Sequence, residues 1–153
     1  MQYQRLGKLG LFVSRLGFGS ATFGGANHPV YSAIGGLPQS EADRLIGIAL
    51  DAGINLFDSA DVYAGGESET LLGKALGSRR NEVLISTKVG NRFGQGPNQV
   101  GASRVNLMDA IEGALHRLGT DRIDLLQLHT WDPYSPLEDV LRTLDDAVRA
   151  GKV

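Results

Sequence analysis

Residues 51–63 read DAGINLFDSADVY. Gly53 closes a helix, Ile54 to Phe57 form an apolar strand, and Asp58 is the first charge beyond it, so a helix leads directly into a buried strand that ends on a carboxylate. The same unit recurs on both sides of this stretch. Upstream, Leu16 to Ser20 predict a first strand and Gly24 to Pro38 a loop, and Ala42, Leu45, Ile46, Ala49 and Leu50 share one helical face behind Ser40, which has N-cap spacing to Asp43. Downstream, Ser68 to Leu76 predicts a short helix and Val83 to Thr87 a third strand. Ser103 caps a helix that keeps Leu107, Met108, Ile111, Leu115 and Leu118 in phase as far as Gly119, and Ile123 to Leu128 is the fourth strand. A last helix runs from about Pro136, in its first turn, through Leu137, Val140, Leu141, Leu144 and Val148 to Gly151. Ahead of all this, Tyr3 to Arg15 turns around Gly7, Lys8 and Gly10 and suits a β-hairpin.

Nearly all-apolar strands alternating with amphipathic helices predict an α/β fold with parallel pairing and right-handed crossovers. Periodicity leaves an open doubly wound sheet and a barrel equally available. The polar residues favour the barrel: Asp58, Lys88 and His129 each stand at the C-terminal end of a different strand, where a (β/α)8 (TIM) barrel gathers its active-site groups. Such a barrel takes eight units and about 250 residues. Four are present, and Gly151 to Val153 resemble a helix exit leading to a fifth strand. The expectation is therefore that residues 1–153 are the N-terminal half of a (β/α)8 barrel with an N-terminal hairpin, truncated before the fifth strand.

The composition closes off several function classes. Fifteen basic and 17 acidic residues give a net charge of −2 with no long run of one sign, which argues against nucleic-acid or membrane-surface partners. The absence of cysteine removes disulfides, thiolate metal sites and a cysteine nucleophile, and no spacing of ligand-type residues predicts a metal. The start MQYQRLGKLG lacks an apolar signal segment and no apolar run reaches the roughly 18 residues of a membrane span, so a cytoplasmic location is expected. Gly17, Gly19 and Gly24 suggest a dinucleotide fingerprint, but Thr22 stands where its third glycine belongs and a loop replaces the helix that should follow.

Asp58 and Tyr63 lie in FDSADVYAGGESE, Lys88 in LISTKVG and His129 in LLQLHTWD. A phenol has an ordinary pKa of about 10, so donating a proton near neutrality requires its anion to be favoured by on the order of 3 to 4 kcal/mol, which an adjacent ammonium supplies. A buried ammonium needs a carboxylate partner, and an imidazole can orient a carbonyl oxygen. Brought together, Tyr63 as proton donor, Lys88 with Asp58 as a charged pair and His129 as the orienting group suit the reduction of a carbonyl by a hydride from outside the chain.

These four segments, in this order, resemble the Asp, Tyr, Lys and His tetrad of the aldo/keto reductases, and LGFGSATFGG, DAGINLFDSADVY, LISTK and HRLGTDRIDLLQLH are similar to that family over nearly the whole chain. The resemblance implies NADPH as cofactor and an aldehyde or ketone as substrate. It implies that Thr22, Phe23 and Asp58 line the cofactor, with Tyr63, His129 and Trp131 around the substrate. Ser59 stands where the family often has Thr. The family's remaining nucleotide-binding segments lie mostly in the second half of the barrel, so the isolated chain is expected to bind NADPH poorly.

Taken singly, each residue has a plainer reading. An Asp after a strand caps or turns, a Lys at a strand end is commonly solvated, and a lone His is more often structural. Asp61 and Glu67 are read as capping or solubilising residues beside Tyr63, His28 and His116 as surface groups, and Trp131 equally as packing or as a pocket wall. Two rival functions accompany the reductase: an aldolase forming a Schiff base at Lys88, and a non-catalytic regulatory subunit that binds the nucleotide. A half barrel also exposes sheet edges, which predicts self-association.

Overall fold

The computed structural model describes residues 1–153. Strands β1 (Tyr3–Arg5) and β2 (Phe12–Ser14) form the antiparallel hairpin, with Tyr3 opposite Ser14. Asn55 pins it: its side-chain amide donates to the Phe12 carbonyl at 3.0 Å and accepts from the Ser14 amide at 2.7 Å. β3 (Phe18–Gly19), β4 (Leu56–Asp58), β5 (Leu84–Val89) and β6 (Leu125–Leu128) then make one sheet in that order, every pair parallel. Helices α1 (Gln39–Asp51), α2 (Glu67–Leu76) and α3 (Arg104–Leu118) are the three crossovers, and α4 (Leu137–Arg149) follows β6.

The strand pleat sorts structure from chemistry. Phe57 on β4 and Ile85, Thr87 and Val89 on β5 are buried; Phe57 and Ile85 pack with Ile46 and Leu50 of α1, Leu72 and Leu76 of α2, and Ile111 and Leu118 of α3, and Val89 with Leu107 of α3 and Val140 of α4. A fully buried side chain of this size contributes about 1.5–3 kcal/mol. Successive residues of a strand point to opposite faces, so Leu56 and Asp58, Leu84, Ser86 and Lys88, and Leu125 and Gln127 lie on the other face, away from the helices. Register aligns Asp58 with Ser86 and Lys88 with Gln127 across neighbouring strands.

Several boundaries differ from those predicted. Pro38, not Ser40, holds the N-cap position of α1, at φ −76°, and Ser40 lies inside the first turn. Proline fixes φ near this value and donates no amide, which suits a helix start. Ile54 and Asn55 precede β4 because Asn55 is spent on the hairpin, and Ile123 precedes β6, its amide donating to the Lys152 carbonyl at 2.9 Å. Ser103 does cap α3, accepting from the Asn106 amide. On α4 the buried residues are Val140, Thr143 and Ala147, whereas Leu137, Leu141 and Val148 are exposed. Their stripe is broader than the single neighbouring helix, α3, can cover.

Candidate active site at the C-terminal ends of the strands

Asp58 is the last residue of β4, Lys88 the penultimate residue of β5, and His129 the residue after β6. Tyr63 opens the turn Tyr63–Gly66 that follows β4. Parallel pairing puts these strand ends side by side, and their side chains meet. The Lys88 ammonium donates to Asp58 Oδ2 at 2.5 Å and to the Ser59 carbonyl at 2.7 Å, and it lies 3.4 Å from the Tyr63 hydroxyl. The Tyr63 and His129 rings meet edge to face with centroids 5.8 Å apart. The structure thus unites Asp58, Tyr63, Lys88 and His129 in one cluster.

Lys88 is 16% exposed and Asp58 37%, so the pair is open enough to reach a ligand yet sheltered enough for its charges to interact strongly. Burial, and then the Lys88 cation, hold His129 below the ordinary imidazole range, with Asp58 pulling weakly the other way. Its Nδ1 is buried and has no hydrogen-bond partner within the chain. A neutral ring here is the physical expectation, because a second cation beside Lys88 would be repelled.

Thr22 and Phe23 divide. Phe23 is fully buried in the core, its ring 5.7 Å from Phe18, so its side chain faces packing and not the strand ends. Thr22 is half-buried, its carbonyl accepting from the Leu37 amide at 3.0 Å. Trp131 is 68% exposed, beside Asp132, whose carboxylate ties its loop to the Ala102 amide. Asp61 is the clearest correction: at 1% exposure it solubilises nothing. Glu67 accepts from the Gly25 amide at 2.7 Å and so joins the loop after β3 to α2. His28 packs edge-on against Tyr31, and His116 sits in the last turn of α3.

Residue-by-residue reading passed over four participants. Ser86 donates to Asp58 Oδ1 at 2.9 Å, and Gln127 donates to Ser86 at 2.8 Å, steadying the free side of the carboxylate. Ser59 contributes a backbone carbonyl that no side-chain pattern reveals. Tyr31 lies 6.1 Å from the Tyr63 ring, and burial, followed by Tyr63 and Asp61, raises its phenol above the ordinary range. For Gln127 a signal existed: it is the one polar residue in its strand, LLQL.

Comparison with known proteins agrees with this geometry. The family model described as Aldo/keto reductase family matches residues 15–153. The chain is 39% identical over 157 aligned residues to a probable voltage-gated potassium channel subunit beta of Oryza sativa subsp. japonica, and 38% identical to one of Arabidopsis thaliana; each alignment covers 99% of this chain and 44% of the relative. Among solved structures, an aldo-keto reductase from Bacillus halodurans in its holo form superposes with a TM-score of 0.83 at 35% identity, over 99% of this chain and 47% of that one. The chain therefore spans less than half the length of these relatives. Its hairpin and four parallel β/α units match half of a (β/α)8 barrel, and the chain belongs to the aldo/keto reductase family.

Proposed function

We propose that this chain is the catalytic half of an NADPH-dependent reductase that converts aldehydes or ketones to alcohols. One observation carries the reading: a single ammonium, Lys88, touches Asp58, the Ser59 carbonyl and the Tyr63 hydroxyl, and the Tyr63 ring meets that of His129. Carbonyl reduction needs a hydride at carbon and a proton at oxygen, and a reduced nicotinamide supplies the hydride when bound. The residues present fit that partnership. The His129 ring, uncharged and short of one partner, can orient a carbonyl oxygen, and Tyr63 is the proton source for the oxygen as it becomes an alkoxide. Lys88 then faces the phenolate left on Tyr63, and Asp58, itself held by Ser86 and Gln127, keeps Lys88 charged and in place. Asp58 and Thr22 are the residues this chain offers to the cofactor. Phe23 contributes from within the core.

A second reading draws on the plant relatives, which are named as probable voltage-gated potassium channel β subunits: a nucleotide-binding subunit of a channel, turning over little. The aldolase reading is weaker, since the Lys88 ammonium is committed to three acceptors and a protonated amine is not a nucleophile.

The test is NADPH oxidation against simple aldehydes, by this chain alone and by this chain joined to four further β/α units of a full barrel. Negligible turnover is expected from the first and measurable turnover from the second, with Tyr63→Phe lowering kcat by about 10²-fold or more. Nucleotide binding without oxidation supports the channel-subunit reading, and a borohydride-trapped adduct at Lys88 supports the aldolase. Micromolar NADPH affinity in the isolated chain would contradict the expectation that half a barrel binds it poorly.

A further inference from the structure

Beneath the Tyr63 turn lies a buried charged cluster with no role in the reading above. Glu69 on α2 is fully buried and well partnered, accepting from Thr87 Oγ1 at 2.5 Å and from Arg117 Nε at 2.7 Å. Asp61 is 1% exposed, yet neither of its carboxylate oxygens has a hydrogen-bond partner, and the Arg117 Nη2 is also buried and unpaired. Leaving a buried polar group unpartnered is costly, and more so for a charge, so an orphan carboxyl beside an orphan guanidinium nitrogen is not neutral packing.

Both ends of the Tyr63 turn are anchored to this cluster. At the near end, the Asp61 amide donates to the Lys88 carbonyl at 3.0 Å and seats the segment on β5. At the far end, Gly66 at φ 92° lies against Arg117, whose Cδ would stand 2.6 Å from a Cβ at that position. Between them Ala64 adopts φ 52°, a conformation side chains disfavour, so the turn persists only because its surroundings hold it.

The charged and titratable side chains facing Asp61 are Glu69 from α2, Arg117 from α3 and Tyr31 from the short turn at residues 31–33, while Lys88 of β5 meets it through its backbone carbonyl alone. Two acids share one guanidinium. Burial, and then the Glu69 carboxylate, push the Asp61 carboxyl up to about 7, with the nearby Val62 amide, which is not aligned for a hydrogen bond, and Arg117 offsetting only part. Near neutrality Asp61 is thus divided between a neutral acid and a carboxylate, and the carboxylate attracts the same Arg117 that packs against Gly66.

We propose that Asp61 is a positioning residue for Tyr63: with Glu69 and Arg117 it forms a buried triad whose charge state decides how the Tyr63 turn seats against Lys88. The catalytic meaning of this rests on Tyr63 being the proton donor; the coupling itself does not.

The experiment is a pH titration of the 153-residue chain carrying ¹³C in its Asp and Glu carboxyls and its tyrosine rings, followed by NMR. Asp61 should titrate well above its ordinary carboxylate range, and the Tyr63 ring signal should move with the same midpoint while Tyr3 and Tyr134 do not. Asp61→Asn, which mimics the neutral acid, should abolish that step and leave Tyr63 at its low-pH position. Glu69→Gln should shift the Asp61 and Tyr63 midpoints downward together, and it carries the test if Asp61→Asn fails to fold. A Tyr63 signal that stays flat through the Asp61 titration, or an Asp61 that titrates in the ordinary range, overturns the proposal. Coupling in a protein whose reductase activity survives Tyr63→Phe sinks the catalytic reading alone; loss of activity in Tyr63→Phe without coupling sinks the positioning alone.

Discussion

At the scale of single residues, His129 shows how a shifted group divides into causes. Burial is the first and Lys88 the second, both favouring the neutral ring. Replacing Lys88 with Met should therefore raise the His129 midpoint only part of the way toward the ordinary value of about 6.5, as read by NMR titration of the imidazole. A full return would mean that burial contributes nothing. The stability linkage has a definite sign. The unfolded ring takes up its proton at a higher pH than the folded one, so the chain is most stable with respect to this group above the ordinary histidine range and loses that stability as pH falls toward the folded midpoint. His129 was legible in the sequence because it sits at a strand end in line with Asp58 and Lys88. Asp61 was not, because a carboxylate two residues before Tyr63 looks the same on paper whether it faces water or Arg117.

At the scale of elements, the packing of α2 on α3 depends on Gly73, where an added Cβ would lie 2.2 Å from the Leu118 carbonyl oxygen. Gly73→Ala adds about 1 kcal/mol of helix propensity but forces the backbones apart, at a cost of about 1–3 kcal/mol. A lower melting temperature is expected. Gly47→Ala on α1, where a Cβ meets nothing within 4 Å, should instead raise it, since only the propensity gain remains. If both variants melt alike, the helices can separate freely and the close approach has no energetic weight. The two cases cannot be separated by pattern, since both glycines lie in amphipathic helices and differ only in what stands opposite. The same reasoning covers α4, where apolar spacing marks a stripe but the position of α3 decides that Val140 and Ala147 are buried and Leu141 is not.

For the molecule as a whole, the sheet ends in two strands with one neighbour each: β3 pairs only with β4, and β6 only with β5. Such edges carry unpaired backbone groups, and the face bearing Leu56, Leu125 and Gln127 has no helices over it. Sedimentation of the 153-residue chain should reveal concentration-dependent association; a monomer at every concentration would show that both edges are tolerated in water. No helix is long and apolar enough to cross a membrane.

The order of strands and helices, the parallel sense of the sheet and the placement of Asp58, Lys88 and His129 at successive strand ends were determined by the sequence alone, because apolar periodicity and one polar residue at each strand end are properties of neighbouring positions. Contacts between residues tens of positions apart belonged to the tertiary structure: Asn55 gripping the hairpin, Ser86 and Gln127 steadying Asp58, Phe23 turned into the core, and Asp61 sealed beside Glu69 and Arg117. Burial and charge coupling depend on distance in space, and only the folded chain sets that distance.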